Sequence, residues 1–172
     1  MRTVRQHVRS ATAVVTAATA IVVITGCSGG GPTDSESNKP VSTAEARQSV
    51  QDIVDRTVSS LEGDWEVYSG PSVEQCSKSD GSDGAAYSSI KALAKPTGEP
   101  VADIAVVKKL WEEAGITTQP YGSGGDDPIL GLRGAGGPTT SISFLADTRR
   151  YTVSATSECA DGDAVEMQSN GE

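Results

Sequence analysis

The chain has 172 residues, a formal net charge of −9 and one histidine, His7. An acidic protein repels the phosphate backbone, so nucleic acid is not an expected partner. Because His7 lies in a segment that we expect to be removed, Ser-His-Asp and Cys-His catalysis and histidine-ligated metal sites are excluded from the mature protein.

Residues 1–26 have the pattern of an export signal. Arg2, Arg5 and Arg9 precede a run from residue 11 to residue 25 that carries no charge, which is a charged n-region followed by an apolar h-region. At about 15 residues the run is short for a membrane-spanning helix, which needs about 20. We therefore expect residues 1–26 to be a signal peptide that is cleaved off.

The end of this segment resembles the lipobox of bacterial lipoproteins, since Ile24, Thr25 and Gly26 are followed by Cys27. In that family the cysteine thiol receives a diacylglyceryl group, and cleavage makes the cysteine the first residue. The resemblance implies that Cys27 is lipidated and that the chain is anchored on the extracytoplasmic face of the cell membrane, which two acyl chains suffice to do. The alternative is an ordinary secretory peptide that is cut elsewhere.

Removing the leader leaves 172 − 26 = 146 residues and a formal charge of (14 − 3) − 23 = −12. Residues 28–40 hold no large apolar side chain, so residues 27–41 are predicted to be a lipidated cysteine with a flexible tether, which allows the domain to sit roughly 20 Å from its anchor. Residues 42–168 are predicted as one globular domain, and residues 169–172 as a disordered tail.

Two amphipathic helices are predicted. The first follows a capping-box pattern of Ser42 and Glu45 and stops before Gly63. Its apolar residues recur at spacings of three and four; they are Ala46, Val50, Ile53, Val54, Thr57, Val58 and Leu61. The second helix begins at Pro100 and ends before Gly115. Its Trp111 is expected to be a core residue rather than a ligand platform.

Between the two helices the pattern is less regular. A short strand is expected at Trp65 and Val67, closed by a Ser-Gly-Pro turn at residues 69–71. Residues 77–84, SKSDGSDG, are expected to be irregular. Residues 85–93 are predicted as a strand, although the same residues could begin a helix.

Strands dominate the rest of the chain, and they are predicted at residues 116–121, 129–133, 139–146 and 151–157. The links between them are short and rich in Gly, Asp and Pro, which favours antiparallel neighbours. Ile142, Phe144 and Ala146 alternate with polar positions, so one face of that strand can be buried. The fold class is therefore α+β, an antiparallel sheet of about four to five strands with two helices packed on one face.

Cys76 and Cys159 remain once Cys27 is assigned to lipid. An even pair in an oxidising compartment predicts a disulfide rather than reactive thiols or metal ligands.

No motif points to catalysis, a metal or a cofactor. The glycines at positions 131, 134, 136 and 137 do not match GxGxxG and indicate a hairpin turn. Ser123 is not expected to be a catalytic nucleophile, because it does not lie in a GxSxG motif and the mature chain has no histidine to act as its base. Three acidic clusters offer oxygen ligands of the kind that suits Ca²⁺, but none completes the twelve-residue calcium-binding loop. We therefore interpret them as solvated turns. The clusters are Asp80 and Asp83, Asp126 and Asp127, and Asp161, Asp163 and Glu166.

The layout is similar to the LppA-type small lipoproteins of actinobacteria. The similarity consists of the lipobox at Cys27, the helix before Trp65, the cysteines Cys76 and Cys159, and the segment GITTQ after the second helix. It implies an envelope lipoprotein with no enzymatic residues to assign. We expect a non-catalytic module that binds an envelope protein, a cell-wall component or a small ligand; the alternative is a cell-wall or glycan hydrolase that uses carboxylates alone.

Overall fold

A computed structural model describes residues 40–125 and 128–172. The predicted signal peptide, Cys27 and nearly all of the tether lie outside the described residues, as do Asp126 and Asp127. The described elements, in chain order, are α1 (Thr43–Ser59), β1 (Trp65–Ser77), β2 (Asp83–Ala94), α2 (Pro100–Glu113), β3 (Thr117–Ser123), β4 (Ile129–Gly136), β5 (Thr139–Asp147), β6 (Arg150–Ser157) and α3 (Ala164–Ser169).

The strands form one antiparallel sheet in the order β1-β2-β6-β5-β4-β3. The α+β class is confirmed, but the predicted number of elements is too low, because the described residues contain six strands and three helices. Residues 85–93 are strand and not helix. They form most of β2, which pairs with β1 on one side and β6 on the other, so tertiary pairing decides between two local possibilities.

β1 is much longer than the sequence indicated. The turn-forming residues 69–71 do not end it; the strand continues to Ser77, and its register against β2 shifts between Val67 and Ser69 and again between Ser69 and Ser72. A β-bulge on an edge strand can accommodate Gly and Pro, and the pairing of β1 with β2 resumes beyond it. Most of the predicted irregular segment, residues 78–82, forms the β1–β2 turn.

Both predicted helices form, and the sequence signals mark the start of α1 and both ends of α2. α1 ends at Ser59 with Ser60 as its C-cap, so Gly63, predicted to stop this helix, lies beyond its end. The capping box of Ser42 and Glu45 is complete at the start of α1. Pro100 is at the start of α2, and Gly115, just past its end, has a φ of 79°, which is the left-handed conformation that a helix stop requires. The predicted apolar stripe of α1 is buried except for Leu61, which is half-buried.

The core lies between the helices and one face of the sheet. α1 packs on β2 and β6, α2 on β3, β4 and β5, and α3 on β1 and β2. Trp111 is fully buried, as predicted, and so are Tyr87, Phe144 and Tyr151. Ile142, Phe144 and Ala146 of β5 are buried as their alternation predicted.

The third helix was not predicted, because six residues are too few to show a periodic pattern. Asp163 caps it by accepting hydrogen bonds from Val165 N and Glu166 N, and Gln168 Nε2 donates to the carbonyl oxygen of Val73 on β1. Residues 169–172, predicted as a disordered tail, continue from this helix. The Glu172 carboxylate accepts a hydrogen bond of 2.7 Å from the Tyr87 hydroxyl, which holds this end of the chain against the sheet.

Candidate functional site

The predicted disulfide is present. Cys76 and Cys159 are bonded, and their Cα atoms lie 5.9 Å apart, within the usual range for a disulfide. The bond joins the edge strand β1 to the segment that follows β6, and β2 lies between those two strands. A stable disulfide is typical of oxidising compartments, so it indicates an extracytoplasmic location for the domain.

Gly84 of β2 makes room for this bond. It pairs with Cys76 in the ladder, and a Cβ at Gly84 would lie 2.7 Å from Cys159 Sγ and 2.5 Å from the carbonyl oxygen of Ala160. The disulfide can therefore cross β2 only where that strand has no side chain.

The acidic turns have structural partners. Asp80 accepts hydrogen bonds from the backbone and side chain of Ser82 in the β1–β2 turn, and these bonds lower the pKa of its carboxyl. Asp161 pairs with Lys78 at 2.5 Å. Asp163 caps α3, so Asp80, Asp161 and Asp163 each have a structural role in a turn, an ion pair or a helix end. Across residues 40–125 and 128–172, no group of three or more His, Cys, Asp or Glu side chains is placed to hold a metal ion.

The glycines of β4 divide into two kinds. Gly136 and Gly137 have φ values of 94° and 58° and form the turn that the sequence predicted. Gly131 and Gly134 instead lie within the strand, where each leaves space for a larger side chain. A Cβ at Gly134 would lie 2.5 Å from Ile116 Cγ2, and one at Gly131 would lie 2.4 Å from Tyr121 Cζ.

The face of the sheet opposite the helices carries two rows of polar side chains, most of which are hydroxyls. We call it the open face. One row runs across four strands and another across three, each linked by ladder pairs; the first is Ser72, Ser88, Thr156 and Ser141, and the second is Ser154, Ser143 and Arg133. Side chains in a row are about 4.8 Å apart because that is the spacing of strands. Since antiparallel sheets can leave one face in water, such a face needs no cover to be stable.

Arg133 has a fixed place at the β3–β4 side of the open face. Its guanidinium lies over the Tyr121 ring, 4.1 Å from the ring centroid, and the ring in turn lies over Gly131. The Tyr121 hydroxyl is 3.5 Å from Ser143 Oγ. None of the ion pairs between described residues includes Arg133. The stack therefore presents a cation whose N–H donors are not used by any acid in residues 40–125 and 128–172.

A groove of about 450 Å³ runs between Arg133 and the opposite side of the open face, where Glu74 stands. Glu74 accepts a hydrogen bond of 2.5 Å from Ser88 Oγ, and Ser88 Oγ lies 3.2 Å from Ser72 Oγ. Ser143, Ser154 and Thr156 line the floor with Ile90. The groove can offer hydroxyls that donate and accept, one cation and one anion.

Sequence reasoning did not identify this groove. The available signal was the alternation of Ser141 and Ser143 with buried residues, repeated by Thr152, Ser154 and Thr156 on the last strand. That alternation shows which residues face away from the core, but the rows exist only because distant strands align.

None of the helices in the described part of the chain has the length and apolar character that crossing a membrane requires.

Comparison with known proteins adds little about function. No protein family matches the chain, and no curated protein is significantly similar to it in sequence. One solved structure, a DUF4853 family protein from Actinomyces odontolyticus, is similar over 74% of this chain and 72% of that chain, with 16% identity and a TM-score of 0.48. A likeness at that level says nothing about what this chain binds.

Proposed function

We propose that this chain is a lipid-anchored envelope protein of the LppA-type kind, held at the outer side of the cell membrane through Cys27. In this proposal it is a non-catalytic binding module, and the groove on its open face receives the ligand. The disulfide between Cys76 and Cys159 supports the compartment, and the lipobox resemblance supports the anchor.

One observation carries the binding role. All three described helices pack on one face of the sheet, and the other face has a groove with a positioned arginine at one side. A polar outer face alone would be an ordinary solvated surface. A guanidinium that lies over an aromatic ring beside a groove, without an acid partner in the described chain, supports a binding role, because Arg can bind a planar anion through two N–H groups.

The carboxylate hydrolase receives less support. A general acid needs a carboxyl whose pKa is raised. Where the pKa of a described carboxyl departs from its ordinary value, it is lowered, and the causes are hydrogen bonds: from Ser82 to Asp80, from Lys108 to Glu112 and from Arg149 to Asp147. These three carboxylates serve structure, and none is tuned to give up a proton to a substrate.

Photo-crosslinking in living cells tests the binding role on the full, exported chain. A benzophenone amino acid replaces Ser154 in the groove, and a matched variant carries it at Ser59, an exposed position at the end of α1. We expect a defined, saturable adduct from position 154 only. The proposal fails if position 154 gives no adduct, or if both positions give the same adducts.

A further inference from the structure

The hydroxyl rows suggest what kind of ligand suits the groove, if the proposed binding role is correct. A serine or threonine hydroxyl both donates and accepts, and it can rotate to suit its partner. Ser143 and Ser154 are a ladder pair and present such groups side by side. Ser88 lies in the neighbouring row, where its proton is donated to Glu74, so it offers an acceptor. Ligands with alternating donors and acceptors along their length, such as sugars, match this arrangement better than apolar chains do.

Arg133 adds one position that can recognise a negatively charged group of the ligand. Guanidinium binds carboxylate through two parallel N–H bonds, and these bonds need a fixed plane. The contact with Tyr121, 4.1 Å from the guanidinium carbon to the ring centroid, restricts where the guanidinium lies, and the Tyr121 ring can cover β4 there because Gly131 has no Cβ. The stack therefore prepares the guanidinium for an anionic group before a ligand arrives.

The charge elsewhere limits how anionic the ligand can be. Without the leader the chain has a formal net charge of −12, and Glu74 stands at the opposite side of the groove from Arg133. A densely charged polyanion would be repelled by both the overall field and that carboxylate. A ligand with isolated carboxylates separated by neutral hydroxyl-bearing units avoids this repulsion.

We propose that the groove binds a linear acidic glycan, with Arg133 holding one carboxylate and the Ser88, Ser143 and Ser154 hydroxyls facing the sugar hydroxyls. Arg133 is the residue that distinguishes an acidic from a neutral glycan. Tyr121 is a positioning residue that acts through Arg133. This inference rests on the proposed function and names the ligand class for the same site.

Calorimetry on the lipidated chain in detergent micelles tests the ligand class. The probes are a hexasaccharide of alternating glucuronic acid and N-acetylglucosamine, and the same hexasaccharide with its carboxylates reduced to alcohols. We expect the acidic form to bind about 10- to 100-fold more tightly, the usual range for a charge-assisted hydrogen-bonded pair. Equal affinity for the two forms, or no binding of either, would overturn the proposal.

Variants separate the roles of the two residues. Arg133→Gln should remove the preference for the acidic hexasaccharide, whereas Arg56→Gln, which takes the same charge from the exposed end of α1, should keep it. Tyr121→Phe retains the ring and should bind as the unchanged chain does, while Tyr121→Leu should weaken binding of the acidic form alone. Equal losses for Arg133→Gln and Arg56→Gln would mean general electrostatic attraction and would contradict the proposal.

The two proposals fail in different ways. If position 154 crosslinks in cells but neither hexasaccharide binds, the open face is a binding site and the glycan assignment is wrong. If position 154 gives no adduct, the site itself is wrong.

Discussion

Trp111 Nε1 donates a hydrogen bond of 2.9 Å to Thr57 Oγ1, and both residues are fully buried. The bond joins α2 to α1 inside the core, and Thr57 itself donates to the carbonyl oxygen of Ile53. A tryptophan N–H is a donor only, so Thr57 decides whether this group is satisfied.

Thr57→Val should therefore destabilise the domain by about 1 to 3 kcal/mol, because it keeps the shape of the side chain and leaves a buried N–H without a partner. Urea unfolding followed by tryptophan fluorescence measures the effect. Thr57→Ser keeps the acceptor and serves as the control. A Thr57→Val variant as stable as the unchanged protein would show that the bond contributes nothing to stability.

Loss of the disulfide should also lower stability. Replacing Cys76 and Cys159 together by serine removes a crosslink between residues 83 apart in sequence, and we expect a loss of about 2 to 4 kcal/mol because the unfolded chain gains freedom. Thermal or urea unfolding of the variant should match that of the unchanged protein after reduction by dithiothreitol. If reduction and substitution both leave the unfolding midpoint unchanged, the disulfide does not contribute to the stability of the domain.

Gly84→Ala should destabilise the domain by about 1 to 3 kcal/mol through overpacking. The added methyl would meet the backbone carbonyl of Ala160 at 2.5 Å as well as Cys159 Sγ. That carbonyl accepts a hydrogen bond from Ala85 N, so it cannot move aside cheaply. Gly125→Ala is the control, because among the described residues no atom beyond its chain neighbours lies within 4 Å of its Cβ position. Equal unfolding midpoints for the two variants would contradict the crossing of the disulfide over Gly84.

Alkaline pH should weaken the fold through Tyr87. Burial, followed by the hydrogen bond to Glu172, raises the pKa of Tyr87 to about 12. The neutral hydroxyl is favoured in the folded state. Its contribution to the free energy of unfolding is therefore present in full below the unfolded pKa of about 10 and is lost as pH rises through about 12. In Tyr87→Phe, the unfolding free energy should fall less between pH 10 and pH 12 than in the unchanged protein. Tyr68→Phe, at an exposed position, is the control, and the interpretation is wrong if the two variants have the same pH dependence.

Membrane attachment should depend on Cys27 alone. Cys27→Ala, expressed in cells that process lipoproteins, should move the protein from the membrane to the soluble fraction, because in the proposed function the acyl chains on Cys27 provide the anchor. Detergent phase separation and immunoblotting measure this. A Cys27→Ala chain that stays in the membrane without lipid would mean that residues 1–26 are retained as a spanning segment.

The sequence alone determined the features that depend on local chemistry. Ser42 with Glu45 marks the start of α1, Pro100 and Gly115 mark the ends of α2, and Ile142 with Phe144 identifies a buried strand face. Each of these signals acts over a few residues, through a cap, a backbone angle or an alternation, so no distant partner is needed to predict it. The pairing of Cys76 with Cys159 was predicted from the expected oxidising compartment and from the expected lipidation of Cys27, which leaves an even pair.

Only the tertiary structure decided what depends on distant residues. The segment 85–93 suits a helix or a strand, and it becomes β2 because β1 and β6 pair with its two edges. Arg133 and Tyr121 meet because β3 pairs with β4 in one register, and Ser154 joins them because β6 lies next to β5. A strand's neighbours are set by the burial of a shared face and by backbone ladders between remote segments, and neither is encoded within a short stretch of sequence.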